Sequence, residues 1–115
     1  MDTLDTLANK IQSVSDDPVI QKLASELANW KQRNDNVKQL ESTVEKFIGT
    51  TWISRNEEHE QVYQLWSNFR DENIRTIHGM TMNERLFVFG LLDHFDKCKT
   101  NDEKDILYGK LLAKR

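Results

Sequence analysis

The stretch Thr81-Met82-Asn83-Glu84-Arg85-Leu86-Phe87-Val88-Phe89 decides how this chain is read. Thr81 and Glu84 stand in the Ser/Thr-x-x-Glu spacing of a capping box. There the hydroxyl accepts from the backbone N–H three residues on, and the carboxylate reaches back to the cap's own N–H. Apolar residues at helical spacing follow at once. The same device recurs at Ser54-Arg55-Asn56-Glu57 and at Thr100-Asn101-Asp102-Glu103. Each box satisfies two otherwise unpaired donors at a helix start, worth on the order of 1 kcal/mol per cap. The chain therefore predicts an all-α fold: one domain over residues 1–115, built as a bundle of four to five helices.

Working outward, Leu4, Leu7, Ala8, Ile11 and Val14 share one helix face. Asp17-Pro18 stops that helix and starts the next, because proline has the φ of a first helical turn and lacks only an N–H that would be unpaired there. Ile20, Leu23, Ala24, Leu27 and Trp30 form a second stripe, and Val37, Leu40, Val44, Phe47 and Ile48 a third. The segment between them has neither Pro nor Gly, so the spacing predicts one helix from about 17 to 48. A break near Asn34, giving two antiparallel helices, is the alternative. Gly49 is placed to end it as a left-handed cap, and Trp52-Ile53 to tuck under the bundle. The Ser54 helix runs to about Ile77, with Val62, Trp66, Phe69 and Ile77 inward. The Thr81 helix continues through Gly90, Leu91, Leu92 and Phe95 to Cys98. It is apolar around most of its circumference, which predicts the central helix. Gly90 within it points to close approach of another element. Ile106, Leu107, Leu111 and Leu112 of the last helix cover it.

The 115 residues carry a net charge of −3. A phosphate-backbone binder needs a surplus of Lys and Arg, and the basic cluster Lys97, Lys99, Lys104, Lys110, Lys114 and Arg115 is interleaved with Asp93, Asp96, Asp102, Glu103 and Asp105. No nucleic-acid partner is expected. The one cysteine, Cys98, excludes an internal disulfide and fits a reducing compartment. No apolar run is long enough to span a bilayer, and the acidic start Met1-Asp2-Thr3-Leu4-Asp5 is unlike a secretion signal. The expected location is the cytosol, away from membrane.

No motif carries chemistry clearly. Asp93, His94, Asp96 and Cys98 contain the residue types of a metal or acid–base site, but on a helix the two aspartates diverge from the His94/Cys98 face, and Cys98 falls on the apolar stripe as a core residue. In Glu57-Glu58-His59-Glu60 no carboxylate stands three residues before the histidine, as paired-metal bundles require. Its acids complement a helix dipole instead. His78 beside Gly79 reads as a polar residue closing its helix. Single, scattered glycines rule out a phosphate loop. The expectation is no cofactor, no metal and no catalysis.

One surface stands out. Glu57, Glu60, Gln61, Gln64, Asn68, Asp71 and Glu72 occupy about a third of the circumference of their helix, opposite Trp66, and Arg75 alone interrupts them with positive charge. Read plainly, this is a solvated face. Read functionally, it is an acidic strip that docks a basic protein, with Tyr63, Trp52 and Arg75 as possible anchors. Asn73 projects into the apolar side, where it must either bond within the bundle or mark an uncovered place.

The segment Asn83–Asp96 resembles a pattern in small bacterial proteins of poorly defined role. The whole chain resembles, in type, the short, acidic, helical immunity proteins of bacteriocin and contact-dependent inhibition systems. That resemblance implies a stoichiometric inhibitor of a cationic nuclease-type toxin. A small phage- or plasmid-type regulator that binds a host enzyme is the second reading, and an enzyme using Asp93, His94 and Asp96 the third.

Overall fold

A computed structural model describes residues 3–51 and 56–114. Among these the structure is helical and contains no strand. The all-α class is therefore shown, but with seven α-helices rather than four to five: α1 (Leu4–Gln12), α2 (Pro18–Asn29), α3 (Val37–Thr51), α4 (Glu57–Phe69), α5 (Met82–Val88), α6 (Leu92–Asp96) and α7 (Asn101–Lys110). No helix is long and apolar enough, among the described residues, to cross a membrane.

The starts follow the local rules. Thr81 and Glu84 form the complete box, with the hydroxyl 3.1 Å from the Glu84 N–H and the carboxylate 2.9 Å from the Thr81 N–H. Thr100 caps α7, although Glu103 reaches one residue further, to the Lys99 N–H. Asp17 accepts from the Val19 N–H, with Pro18 in the first turn of α2. Ser54 lies outside the described residues, as do Trp52 and Ile53. The cap of α4 is Asn56, whose amide oxygen accepts from the His59 N–H at 2.8 Å.

Two long helices are each divided. The 17–48 segment breaks after a 3-10 turn at Trp30–Gln32, and α3 restarts at Val37. Asn36 and Gln39 explain the restart: each side-chain oxygen accepts from the other's backbone N–H, at 2.9 and 2.8 Å. This is a capping box written with Asn and Gln. Gly49 does not end α3, which runs on to Thr51. The 81–98 segment divides at Gly90, whose φ is +73°. The Leu91 N–H bonds back to the Leu86 carbonyl and the Gly90 N–H to Phe87, so Gly90 terminates α5 rather than sitting inside a helix. A Cβ there would lie 2.7 Å from the Asp5 Oδ2, so the expected close approach is made by a side chain of α1. The same pair of bonds closes α7, but with Leu112 at φ 59° in the glycine position.

The helix opened at α4 loses its α-geometry at Arg70–Ile74, a π turn closed by the Arg75 N–H on the Arg70 carbonyl at 3.0 Å. A wider turn advances less per residue, so the neighbours Asn73 and Ile74 both face inward. Asn73 is fully buried and donates to the Phe69 carbonyl at 3.2 Å.

The core joins Leu4 to Leu111 in one apolar cluster. α1 packs on α2 and α4, and α3 packs on the π turn. At its centre the rings of Trp30, Phe89, Phe69 and Trp66 stand in series, with centroids 5.6, 5.8 and 6.3 Å apart. Such pairs add about 0.5–1.5 kcal/mol each beyond their burial. The 81–98 segment is not buried all round. Leu86, Val88, Phe89 and Leu91 are inside, whereas Phe87 and Leu92 are exposed and α6 buries no residue. Of the four residues expected to cover this segment, Ile106 is 66% exposed, Leu112 is partly buried, and Leu107 and Leu111 are buried.

Candidate functional site

All eight residues of the predicted strip are exposed: Glu57, Glu60, Gln61, Gln64 and Asn68 on α4, Asp71 and Glu72 on the π turn, and Arg75 just beyond. Along α4 itself, from Glu57 to Phe69, the chain rises roughly 18 Å at 1.5 Å per residue. Two of its polar groups are already engaged with each other, since the Gln64 amide donates to Asn68 at 3.2 Å. Asp71 is engaged as well. Its Oδ1 accepts from Arg70 Nε at 3.1 Å and lies 3.3 Å from Arg75 Nε. Asp71 is thus exposed but ion-paired, and Glu57, Glu58, Glu60 and Glu72 are the other exposed carboxylates here. Tyr63 is exposed beside the strip.

The strip is held rigidly from behind. Glu45 of α3 accepts at the same Oε1 from Trp66 Nε1, at 3.1 Å, and from Arg70 Nη1, at 2.5 Å. The Glu45 hydrogen bond raises the Arg70 guanidinium further above its ordinary value, so this cation persists at any working pH. At the other end, the buried His59 places Nε2 3.3 Å from Asp17 Oδ2, while Asp17 Oδ1 caps α2. One carboxylate therefore fixes the starts of two helices. His59 had been read only as part of an acidic first turn.

The residues proposed for metal or acid–base chemistry do not converge. Asp93, His94 and Asp96 are exposed on α6, and Cys98 is half-buried with its thiol on the His94 carbonyl at 3.3 Å. Among the described residues no group of three or more His, Cys, Asp or Glu side chains is placed to hold a metal. His78 is exposed after the π turn.

The largest departure from the sequence reading is Lys110. Counted with the C-terminal surface charges, it is in fact buried. Its ammonium donates to the carbonyls of Trp30 at 3.0 Å, Arg33 at 2.5 Å and Asp35 at 2.9 Å, and sits 4.1 Å from the Trp30 ring centroid. All three donors of the ammonium are thereby used. Burial lowers the Lys110 pKa, with the Asp35 charge opposing that shift. Arg85, also buried, donates to the carbonyls of Met80 and Leu111 at 3.2 and 3.0 Å. Two buried cations thus tie the C-terminal helix to the rest, a role that charge counting along the chain cannot show.

Comparison with family models, with curated proteins and with solved structures finds no match to this chain. The class defined here is that of its architecture: a small all-α protein with an exposed acidic helix face.

Proposed function

We propose that the chain is a non-catalytic binding protein acting in the cytosol, an immunity-type inhibitor that neutralises a cationic, nuclease-type toxin domain by stoichiometric contact through α4 and the π turn. The observation that carries this reading is the exposure of Glu57, Glu60, Gln61, Gln64, Asn68, Asp71, Glu72 and Arg75 along α4 and the turn that follows it. That face offers several carboxylates to one cation, and Arg75 lies within ion-pair distance of Asp71. Its length is in keeping with one partner's share of a standard interface, about 800 Å². The Glu45–Trp66–Arg70 tie behind it means that little ordering is needed on binding.

The test is charge reversal at Glu57 and Glu72 together, to Lys, with binding to any cationic toxin domain found encoded beside this gene followed by stopped flow. Asp71 is unsuitable, because reversal there would set a lysine against Arg70 and Arg75. Steering by rim charge appears in the association rate and fades with salt, as the Debye length falls from about 30 Å at 0.01 M to about 8 Å at physiological strength. The double variant should associate more slowly at low salt and protect less. Lys114→Glu, at an exposed position, is the control and should change neither. Unchanged association and protection in the double variant would show that the docking face lies elsewhere. Absence of any toxin that the wild-type protein neutralises would remove the immunity reading.

A further inference from the structure

Four large apolar side chains are exposed among the described residues, and two of them, Phe87 at 53% and Leu92 at 40%, rim the same depression. It has a volume of about 240 Å³ and is completed by Asp5, Lys31, Leu86, Gly90 and Asp93. Small-molecule pockets begin at roughly 300 Å³ and are more enclosed. This one is the size of a single side chain.

Its charges are specific. The Asp5 carboxylate is packed against Gly90, where any Cβ would strike it, so its position at the depression is fixed by the backbone. Lys31 donates to both Asp5 oxygens, at 3.2 and 3.3 Å, yet the Asp5 side chain stays 48% exposed. Asp93 is exposed, and its carboxylate has, among the described residues, neither an ion-pair nor a hydrogen-bond partner; only its backbone carbonyl is engaged, by the Lys97 N–H. Two carboxylates against one ammonium leave a net negative charge between a phenyl face and a leucine.

We infer that this depression receives an arginine side chain from a protein partner, its guanidinium meeting Asp93 and the open side of Asp5 while its stem and plane lie against Leu92 and Phe87. Arginine fits better than lysine. Its planar cation is weakly hydrated, stacks on aromatic faces and presents several donors to flanking carboxylates. Lys31 already occupies part of Asp5 and so tempers the site. The inference stands on this surface alone and holds whether or not α4 docks a toxin.

The test is a titration of isotopically labelled protein, followed by amide NMR, with the tripeptide acetyl-Gly-Arg-Gly-amide and with its citrulline counterpart, which has the same shape without the charge. Shifts should concentrate at residues 86–93 and at Asp5 and Lys31. Citrulline should bind about fivefold more weakly or worse, the scale of a partly exposed ion pair. Asp93→Asn and Phe87→Ala should each weaken the arginine peptide, and Phe87→Leu should too, since it keeps apolar area but loses the ring. Lys31→Met should strengthen it by releasing Asp5. Equal binding of citrulline, shifts on Glu57–Glu72 instead, or unchanged affinity in Asp93→Asn would overturn the assignment.

Discussion

The outer face of α4 and the corner around Lys110 are both charged regions, and they teach opposite lessons. On α4, charge points to water and its neighbours lie within one or two turns of the same helix. At the corner, a single ammonium is buried and holds three carbonyls at the joint between α2 and α3. Removing an exposed charge changes little in the folded state. Removing the buried one leaves the buried Trp30 carbonyl, and the part-buried carbonyls of Arg33 and Asp35, without the donor they share. The first region should therefore tolerate substitution in the folded state, and the second should not.

The sharpest way to break this comparison is Lys110→Ala. It orphans the carbonyls of Trp30, Arg33 and Asp35 and removes the cation from the Trp30 ring. The expected loss is roughly 1–3 kcal/mol, the scale for leaving a buried acceptor unsatisfied. Urea unfolding measures it, and a loss within about 0.5 kcal/mol, the scale of a surface substitution, would mean that the corner behaves like α4.

Gly90→Ala should follow. The residue must hold φ +73° and accommodate a Cβ 2.7 Å from Asp5 Oδ2. A left-handed non-glycine residue costs about 1–2 kcal/mol before the displacement of Asp5 is added. A melting temperature unchanged from wild type would show that the backbone at 90 relaxes freely.

Thr81→Ala tests an exposed element that does contribute to folding, by about 0.5–2 kcal/mol. Its partner gives a pH signature. Hydrogen bonds first from the Thr81 backbone N–H and then from its hydroxyl lower the Glu84 pKa below its ordinary value. A carboxylate with a lowered folded pKa contributes stability above its unfolded pKa, near 4.5, and loses it as the pH falls through the folded value. The stability difference between wild type and Glu84→Gln should therefore be full at pH 6–7 and shrink as the pH drops below about 4.5. A difference independent of pH would mean that the carboxylate is not engaged.

The smallest effect belongs to α4. Glu57→Lys with Glu72→Lys should change unfolding stability by at most about 1 kcal/mol, including the weaker helix-dipole term at Glu57. Larger destabilisation would show that this face is structural and erase the contrast with Lys110.

Helical class was legible because its signals are local. A cap and its N–H lie three residues apart, and an apolar stripe repeats within two turns. Thr81, Thr100 and Asp17-Pro18 start helices as read, the stripe Ile20–Leu23–Ala24–Leu27–Trp30 is wholly buried, and so is the first stripe, Leu4–Leu7–Ala8–Ile11–Val14, except for the partly buried Val14. The Asn36–Gln39 box that restarts α3 was equally local, and widening the pattern from Ser/Thr-x-x-Glu to include Asn and Gln finds it. The exposure of the α4 strip also follows from its stripe, because a face opposite Trp66 has only solvent to meet.

What the tertiary structure decided lies beyond that range. Gly49 and Gly90 look alike in sequence, yet α3 passes through the first, and the second turns left-handed against Asp5, eighty-five residues earlier in the chain. The π turn at Arg70–Ile74, which packs on α3, has no local signature, although the inward side of Asn73 follows from helix spacing and the Asp71 pairs with Arg70 and Arg75 are local. Lys110 finds its acceptors 75 to 80 residues away. Whether a lysine is a surface charge or a buried clamp depends on which carbonyls the fold leaves unpaired beside it, and that is set when helices pack, not when they form.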